Sequence, residues 1–148
     1  MFLGTFEPNL DDKGRFTLPA PFRETLKEKT GSHDVVLTRG LDDCIFGFDR
    51  DQFQQIVDGF HAASFAKKRN RLFERNFFGK AIKGACDGMG RIRIPDALRE
   101  KAGIPKKGKL VVIGASTRFE IWDKAAWERR EAQDEEEGTY EEIAEDLF

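Results

Sequence analysis

The chain has 148 residues, 39% of them apolar and 14 of them Phe, and its 25 Lys and Arg against 27 Asp and Glu leave a formal charge of −2. A chain of this length removes roughly 68–70% of its unfolded surface from water on folding, so one ordinary domain, or two very small ones, builds a core without metal or disulfide staples. Two Cys, at 44 and 86, make no disulfide framework, no apolar run approaches a membrane span, and the opening MFLGTFEPNLDDKGR lacks the basic-then-apolar layout of a secretory signal. The expectation is a cytoplasmic protein with both thiols reduced.

In chain order, Phe2 to Leu10 reads as a first strand and runs into the turn Asp11-Asp12-Lys13-Gly14. Gly14 supplies the positive φ that such a turn needs, and Asp11 can bond backbone amides within it. Arg15 to Leu18 alternates as a short strand, and Pro19 ends it at the entry to a helix over Ala20 to Lys29, with Gly31 as stop. Strands over Val35 to Thr38 and Ile45 to Phe48 follow, and Asp49 stands as N-cap of a helix about Arg50 to Phe60.

Residues 65–78, FAKKRNRLFERNFF, set Phe65, Leu72, Phe73 and Phe77 among Lys67, Lys68, Arg69, Arg71 and Arg75. That pattern predicts an amphipathic connecting helix, bounded at 65–76, whose apolar stripe packs on the body and whose basic face attracts polyanions. The first succession then recurs: a strand over Ala81 to Cys86, the turn Asp87-Gly88-Met89-Gly90, and a strand over Arg91 to Ile94. After Pro95 comes a helix over Asp96 to Ala102, with Asp96 as N-cap and Gly103 as stop. Strands over Leu110 to Ile113 and Phe119 to Trp122 lead to Asp123, N-cap of a helix over Lys124 to Ala132.

The recurrence is a tandem duplication. A shift of 76 lays Asp11 on Asp87, Gly14 on Gly90, Arg15 on Arg91, Pro19 on Pro95, Arg23 on Arg99 and Glu24 on Glu100; a shift of 74 then lays Phe48-Asp49 on Trp122-Asp123. Two copies are too few for a solenoid and point to a pseudo-dimer sharing one core. The expected organisation is a first repeat at 1–64, the connecting helix at 65–76, a second repeat at 77–130 and an acidic tail at 131–148. The fold class is mainly β with short helices (α+β).

Charge follows the same boundaries. Residues 1–64 carry a net −4, residues 65–110 a net +10, residues 111–130 a net +1, and the tail has 9 acidic side chains and no basic one. A charge run is ordinarily a solvated face, but a basic body also permits binding to a polyanion, because Lys and Arg on phosphates release condensed counterions.

The Asp-x-x-Gly-Arg turn and its flanks carry the chemistry. Alternation places Arg91 and Arg93 on one face of their strand, and a planar guanidinium at a stiff turn can fork onto guanine O6 and N7 or clamp a phosphate. If a pseudo-twofold relates the repeats, Arg15, Arg91 and Arg93 form one basic surface. Spacing equally allows Asp11 with Arg15, and Asp87 with Arg91, to tie only their own turns.

The string D-x-x-G-R-x-x-I/L-P-x-x-L/F-R, found at Asp11 to Arg23 and at Asp87 to Arg99, resembles the signature of the AbrB-like (SpoVT-AbrB) swapped-hairpin DNA-binding domains. Two copies in one chain, with the opening FLG and the phrase LDDKGRFTLP, are similar to the MraZ family of bacterial transcriptional regulators. The resemblance covers residues 1–130 and implies a pseudo-dimeric β-barrel of interlocked hairpins. It also implies a ring-shaped homo-oligomer, nucleoid-associated, that regulates transcription by binding repeated elements in double-stranded DNA upstream of the division and cell wall gene cluster, its own promoter included. Carried onto this chain, the DNA-facing residues are Arg15 and Arg91, with Lys13, Arg93, Arg23 and Arg99 beside them. Met89 stands where the first copy has Lys13, so the two turns are unequal.

Enzymatic readings find little support. His33 and His61 belong to no H-E-x-x-H, and neither a C-x-x-C nor a Walker-type loop occurs, so no metal, cofactor or small-molecule substrate is expected. Cys44 and Cys86 read as packing residues. The alternative function is a protein-binding, antitoxin-like or scaffold module using the acidic tail, where Tyr140, Ile143, Leu147 and Phe148 are spaced apolar anchors.

Overall fold

Residues 1–60 and 63–148 are described by the computed structural model; His61 lies outside the described residues. In chain order the elements are β1 (Thr5–Phe6), β2 (Asn9–Leu10), β3 (Arg15–Thr17), α1 (Ala20–Thr30), β4 (Asp34–Arg39), β5 (Ile45–Phe48) and α2 (Arg50–Phe60). Then come α3 (Lys68–Asn76), a 3₁₀ turn (Phe78–Lys80), β6 (Ile82–Ala85), β7 (Arg91–Arg93), α4 (Asp96–Lys101), β8 (Gly108–Gly114), β9 (Phe119–Asp123), α5 (Lys124–Glu137) and α6 (Tyr140–Leu147). The class is α+β, with antiparallel strands and short helices.

Period-two alternation gives the main sheet two apolar faces. Val35, Leu37, Ile45, Leu110, Val112, Phe119 and Ile121 enter one core, which Phe16 and Ile92 close from the β3–β7 ribbon and Phe22, Leu26 and Leu98 from α1 and α4. Phe46, Phe48, Val111 and Trp122 point the other way, under Phe53 and Ile56 of α2 and Trp127 of α5. Gly47 is required in β5, because a Cβ there would stand 2.2 Å from the Phe119 ring.

The strand order in the seven-stranded sheet is β1-β8-β9-β5-β4-β6, with β2 also on β8, and β3 pairs with β7 in a separate ribbon. Exchanging the repeats swaps β1 with β6, β8 with β4 and β9 with β5, and leaves that order unchanged. Register locates the axis. Phe46 lies opposite Glu120, and Phe16 opposite Ile92; each pair occupies equivalent positions of the two repeats. The first strands are exchanged: β1 and β2 of repeat one pair with β8 of repeat two, while β6 of repeat two pairs with β4 of repeat one.

Several expectations are corrected. The main sheet does not close into a barrel, since β1 and β6 stand at its two ends. The strand expected over Phe2 to Leu10 is broken into a bridge from Phe2 to Ser116, β1 and β2, because Gly4 turns at φ 97° and Pro8 has no amide to donate. Asp96 is the first helical residue of α4, with Pro95 as N-cap, so its carboxylate faces the helix dipole and accepts no capping bond. Asp49 and Asp123 do cap: Asp49 Oδ1 accepts from the Gln52 amide at 2.8 Å and Asp123 Oδ2 from the Ala126 amide at 3.2 Å.

The connecting helix α3 starts at Lys68, not 65. Its stripe is only partly used: Phe73 stacks on Phe60 at 5.1 Å and on Phe77 at 5.0 Å, while Phe65 and Leu72 stay exposed. The acidic segment is helical, as the end of α5 and as α6. No described helix is long and apolar enough to cross a membrane.

Candidate nucleic-acid interface

The ribbon of β3 and β7 takes one strand from each repeat. Phe16 and Ile92 point into the core, so alternation turns Arg15, Thr17, Arg91 and Arg93 onto the outer face. Register sets Arg15 opposite Arg93 and Thr17 opposite Arg91. The strand ends cross-link reciprocally: the Leu18 amide donates to Gly90 O at 2.9 Å and the Ile94 amide to Gly14 O at 2.8 Å. Each turn is therefore held by the opposite repeat.

Both turns are built alike. Gly14 and Gly90 sit at φ 76° and 77°, in the left-handed region. Asp11 Oδ1 accepts from the amides of Lys13 and Arg15, each at 2.9 Å, and its Oδ2 from Arg15 Nε at 3.0 Å. Asp87 repeats the pattern with the amides of Met89 and Arg91 and with Arg91 Nε, all at 2.9 Å. The Arg15 amide, and after it the Arg15 guanidinium and the Lys13 amide, hold Asp11 below the usual carboxylate range. The Arg91 amide, then the Met89 amide and the Arg91 side chain, do the same for Asp87. The pairing of Asp11 with Arg15, and of Asp87 with Arg91, thus ties each turn to itself. The ion pair occupies Nε and fixes the plane of the guanidinium, and among the described residues no hydrogen bond occupies its terminal nitrogens.

The remaining site residues divide. Lys13 stands exposed on its turn and Arg93 exposed on its strand. Arg23 donates from Nη1 to Leu18 O of its own repeat and lies against Gly90 of the other, where a Cβ would stand 2.8 Å from that nitrogen. Arg99 is buried, with Nη1 donating to Ile104 O at 2.7 Å and looser pairs to Asp96 and Glu100. Both guanidiniums are engaged in holding backbone, which separates them from the outward group.

Sequence reasoning missed Lys106, which shares a shallow depression with Lys13, Arg93, Arg99, Asp12 and Asp96. The run Lys106-Lys107-Gly108-Lys109 was the available signal, but nothing in spacing brings it to the first turn. The equivalents of Lys13 and Arg93 in the other repeat are Met89 and Thr17, so the positive charge gathers at one end of the ribbon. Burial pushes the Cys44 thiol up and the Cys86 thiol up to about 11, so both stay protonated near neutrality.

A protein-family model described as "MraZ protein, putative antitoxin-like" matches residues 1–76 and again residues 77–147. The second match begins where the duplicated strand and turn recur, and it runs through the acidic segment.

Proposed function

On the premise that the chain belongs to the MraZ family, matched over both of its halves, we propose that it is a non-enzymatic, sequence-specific DNA-binding transcriptional regulator. The observation that carries this reading is the outer face of the ribbon, where Arg15 and Arg93 lie directly opposite each other with Arg91 beside them. Like charges facing each other across a strand pair are destabilising, so the arrangement favours occupancy by an anion. A two-stranded ribbon fits the major groove, and guanidinium groups fixed at Nε offer their terminal nitrogens to guanine or phosphate.

The strand exchange between repeats supports the interlocked-hairpin architecture of AbrB-like domains. The expected targets are short repeated elements upstream of the division and cell wall gene cluster, the protein's own promoter included, and the expected setting is the cytoplasmic nucleoid. One ribbon supplies few contacts, so a ring-shaped homo-oligomer on tandem elements gains its affinity through effective concentration.

An antitoxin-like protein-binding role is the second reading, favoured by the exposed Tyr140, Ile143 and Leu147 of α6. Mobility-shift titration with a fragment carrying the upstream repeats separates the two. Binding should weaken with salt, log K falling by about 0.9 per unit log salt for each phosphate neutralised. A flat salt response, or unchanged affinity when both Arg15 and Arg91 are replaced by Ala, rejects the DNA reading.

A further inference from the structure

Among the described residues, two exposed surfaces match each other. The first is α6, in which Tyr140, Ile143 and Leu147 recur at helical spacing and are 81%, 57% and 73% exposed, with Phe148 following at 103%. The other side of the same helix carries Glu141, Glu142, Glu145 and Asp146 and no basic residue. The second is a groove between α3 and α4. Two adjoining depressions form it, lined by Phe73, Leu98 and Leu41 together with Arg39, Lys80 and Lys101. Beside it Leu72 is 61% exposed on a helix that also bears Lys68, Arg69, Arg71 and Arg75. The one acidic stretch in the groove, Asp42-Asp43, lies at the Leu41 turn, and Asp42 is paired with Arg130 at 3.9 Å.

We propose that α6 of one copy docks into the α3–α4 groove of a second copy of this chain. A short helix with apolar anchors at i, i+3 and i+7 is the form that lies in an apolar groove, and its acidic side meets the basic rim. The Arg ribbon is the poorer match, because apart from Met89 it offers no large exposed apolar side chain to the three anchors. Within its own copy α6 is a separate helix beyond the left-handed break at Gly138, which ends α5, and only Ala144 of α6 is partly covered. Because helix and groove are different surfaces of one chain, the contact is either exchanged reciprocally in a twofold dimer or head to tail, and in the second case it closes a ring when the rotation per copy allows. The inference rests on the self-assembly part of the proposed function and names the surfaces that join.

The test uses full-length protein. Sedimentation equilibrium should show self-association of the wild type, weakened roughly tenfold or more in the Ile143→Asp, Leu147→Asp double variant, the effect of losing two anchors. Lys80→Glu with Lys101→Glu should weaken it too, and adding Glu142→Lys and Glu145→Lys should restore part of the loss. In mixtures of isotopically light and heavy copies, carbodiimide should couple α6 carboxylates to Lys80 or Lys101 across copies, while circular dichroism and binding to a single short DNA site stay unchanged. Undiminished association in the double variant overturns the docking and leaves assembly standing. Couplings found only within a copy overturn it in favour of a contact in cis, and tighter DNA binding at constant mass overturns it in favour of a tail that competes with DNA. A wild type that is monomeric throughout overturns both the docking and the self-assembly reading.

Discussion

Arg15 and Arg93 face each other in register across the ribbon, one from each repeat, and Arg15 Nε is held at 3.0 Å by the Asp11 carboxylate of its own turn. Replacing Arg15 or Arg91 by Ala should therefore cost about 1–3 kcal/mol of specific DNA binding where that side chain reads a base. Competitive titration against scrambled DNA checks it, since a base-reading Arg loses specificity and a phosphate contact weakens all sequences alike. Arg93→Ala should cost more than Thr17→Ala at the equivalent position, because only the former removes charge.

The outward Arg group was readable only in part: short-range rules put Arg91 and Arg93 on one face, whereas Arg15 joins them through the pairing of β3 with β7. Alternation gives Arg91 and Arg93 a common face, and Gly14 and Gly90 fix where each turn lies. The internal repeat suggested a pseudo-dimer, and Phe16 lies in register opposite Ile92, its equivalent in the other repeat. Arg23 and Arg99 share the signature but do a different job: Arg23 lies over Gly90 of the other repeat, which only the packing of the repeats reveals, and Arg99 donates to the Ile104 carbonyl of its own repeat. Lys106 was illegible for the same reason, since it reaches the first turn across the two repeats. The open sheet depends on which strand edges find partners, a long-range matter that no local pattern encodes.

Acid should loosen both turns together. The native pKa of Asp11 and of Asp87 lies below the ordinary 3.8, so the unfolded chain takes up their protons first as pH falls. Their contribution is complete above roughly pH 5 and is lost as pH drops through 3.8 and on past the native values. Urea unfolding from pH 6 down to pH 3, compared with the Asp11→Asn, Asp87→Asn double variant, should show the gap in stability closing toward the acid end. A constant gap across that range would mean that the carboxylate charges do not stabilise the turns.

Gly47→Ala should destabilise the protein by about 1–3 kcal/mol through overpacking. The Phe119 ring occupies the place of the missing side chain, and Phe119 is also Gly47's register partner near the pseudo-twofold. Thermal unfolding of the single variant, and of Gly47→Ala with Phe119→Leu, checks the cause. The smaller residue should recover part of the loss.

The two turn glycines should respond unequally to Ala, although their φ angles agree to within a degree at 76° and 77°. Left-handed backbone should cost either variant about 1–2 kcal/mol. At Gly14 the new methyl would meet only Ile94 O, at an ordinary 3.5 Å, whereas at Gly90 it would press on the Arg23 guanidinium at 2.8 Å. Arg23 can retreat only by giving up its bond to Leu18 O, which for a charged donor adds about 1.5–3 kcal/mol. Gly90→Ala should accordingly unfold at lower urea than Gly14→Ala, and in an Arg23→Ala background the difference should vanish, since the obstacle is gone and the backbone strain is common to both. A difference that survives in that background would place the asymmetry in the turns themselves and not in the side chain that one repeat lays across the other.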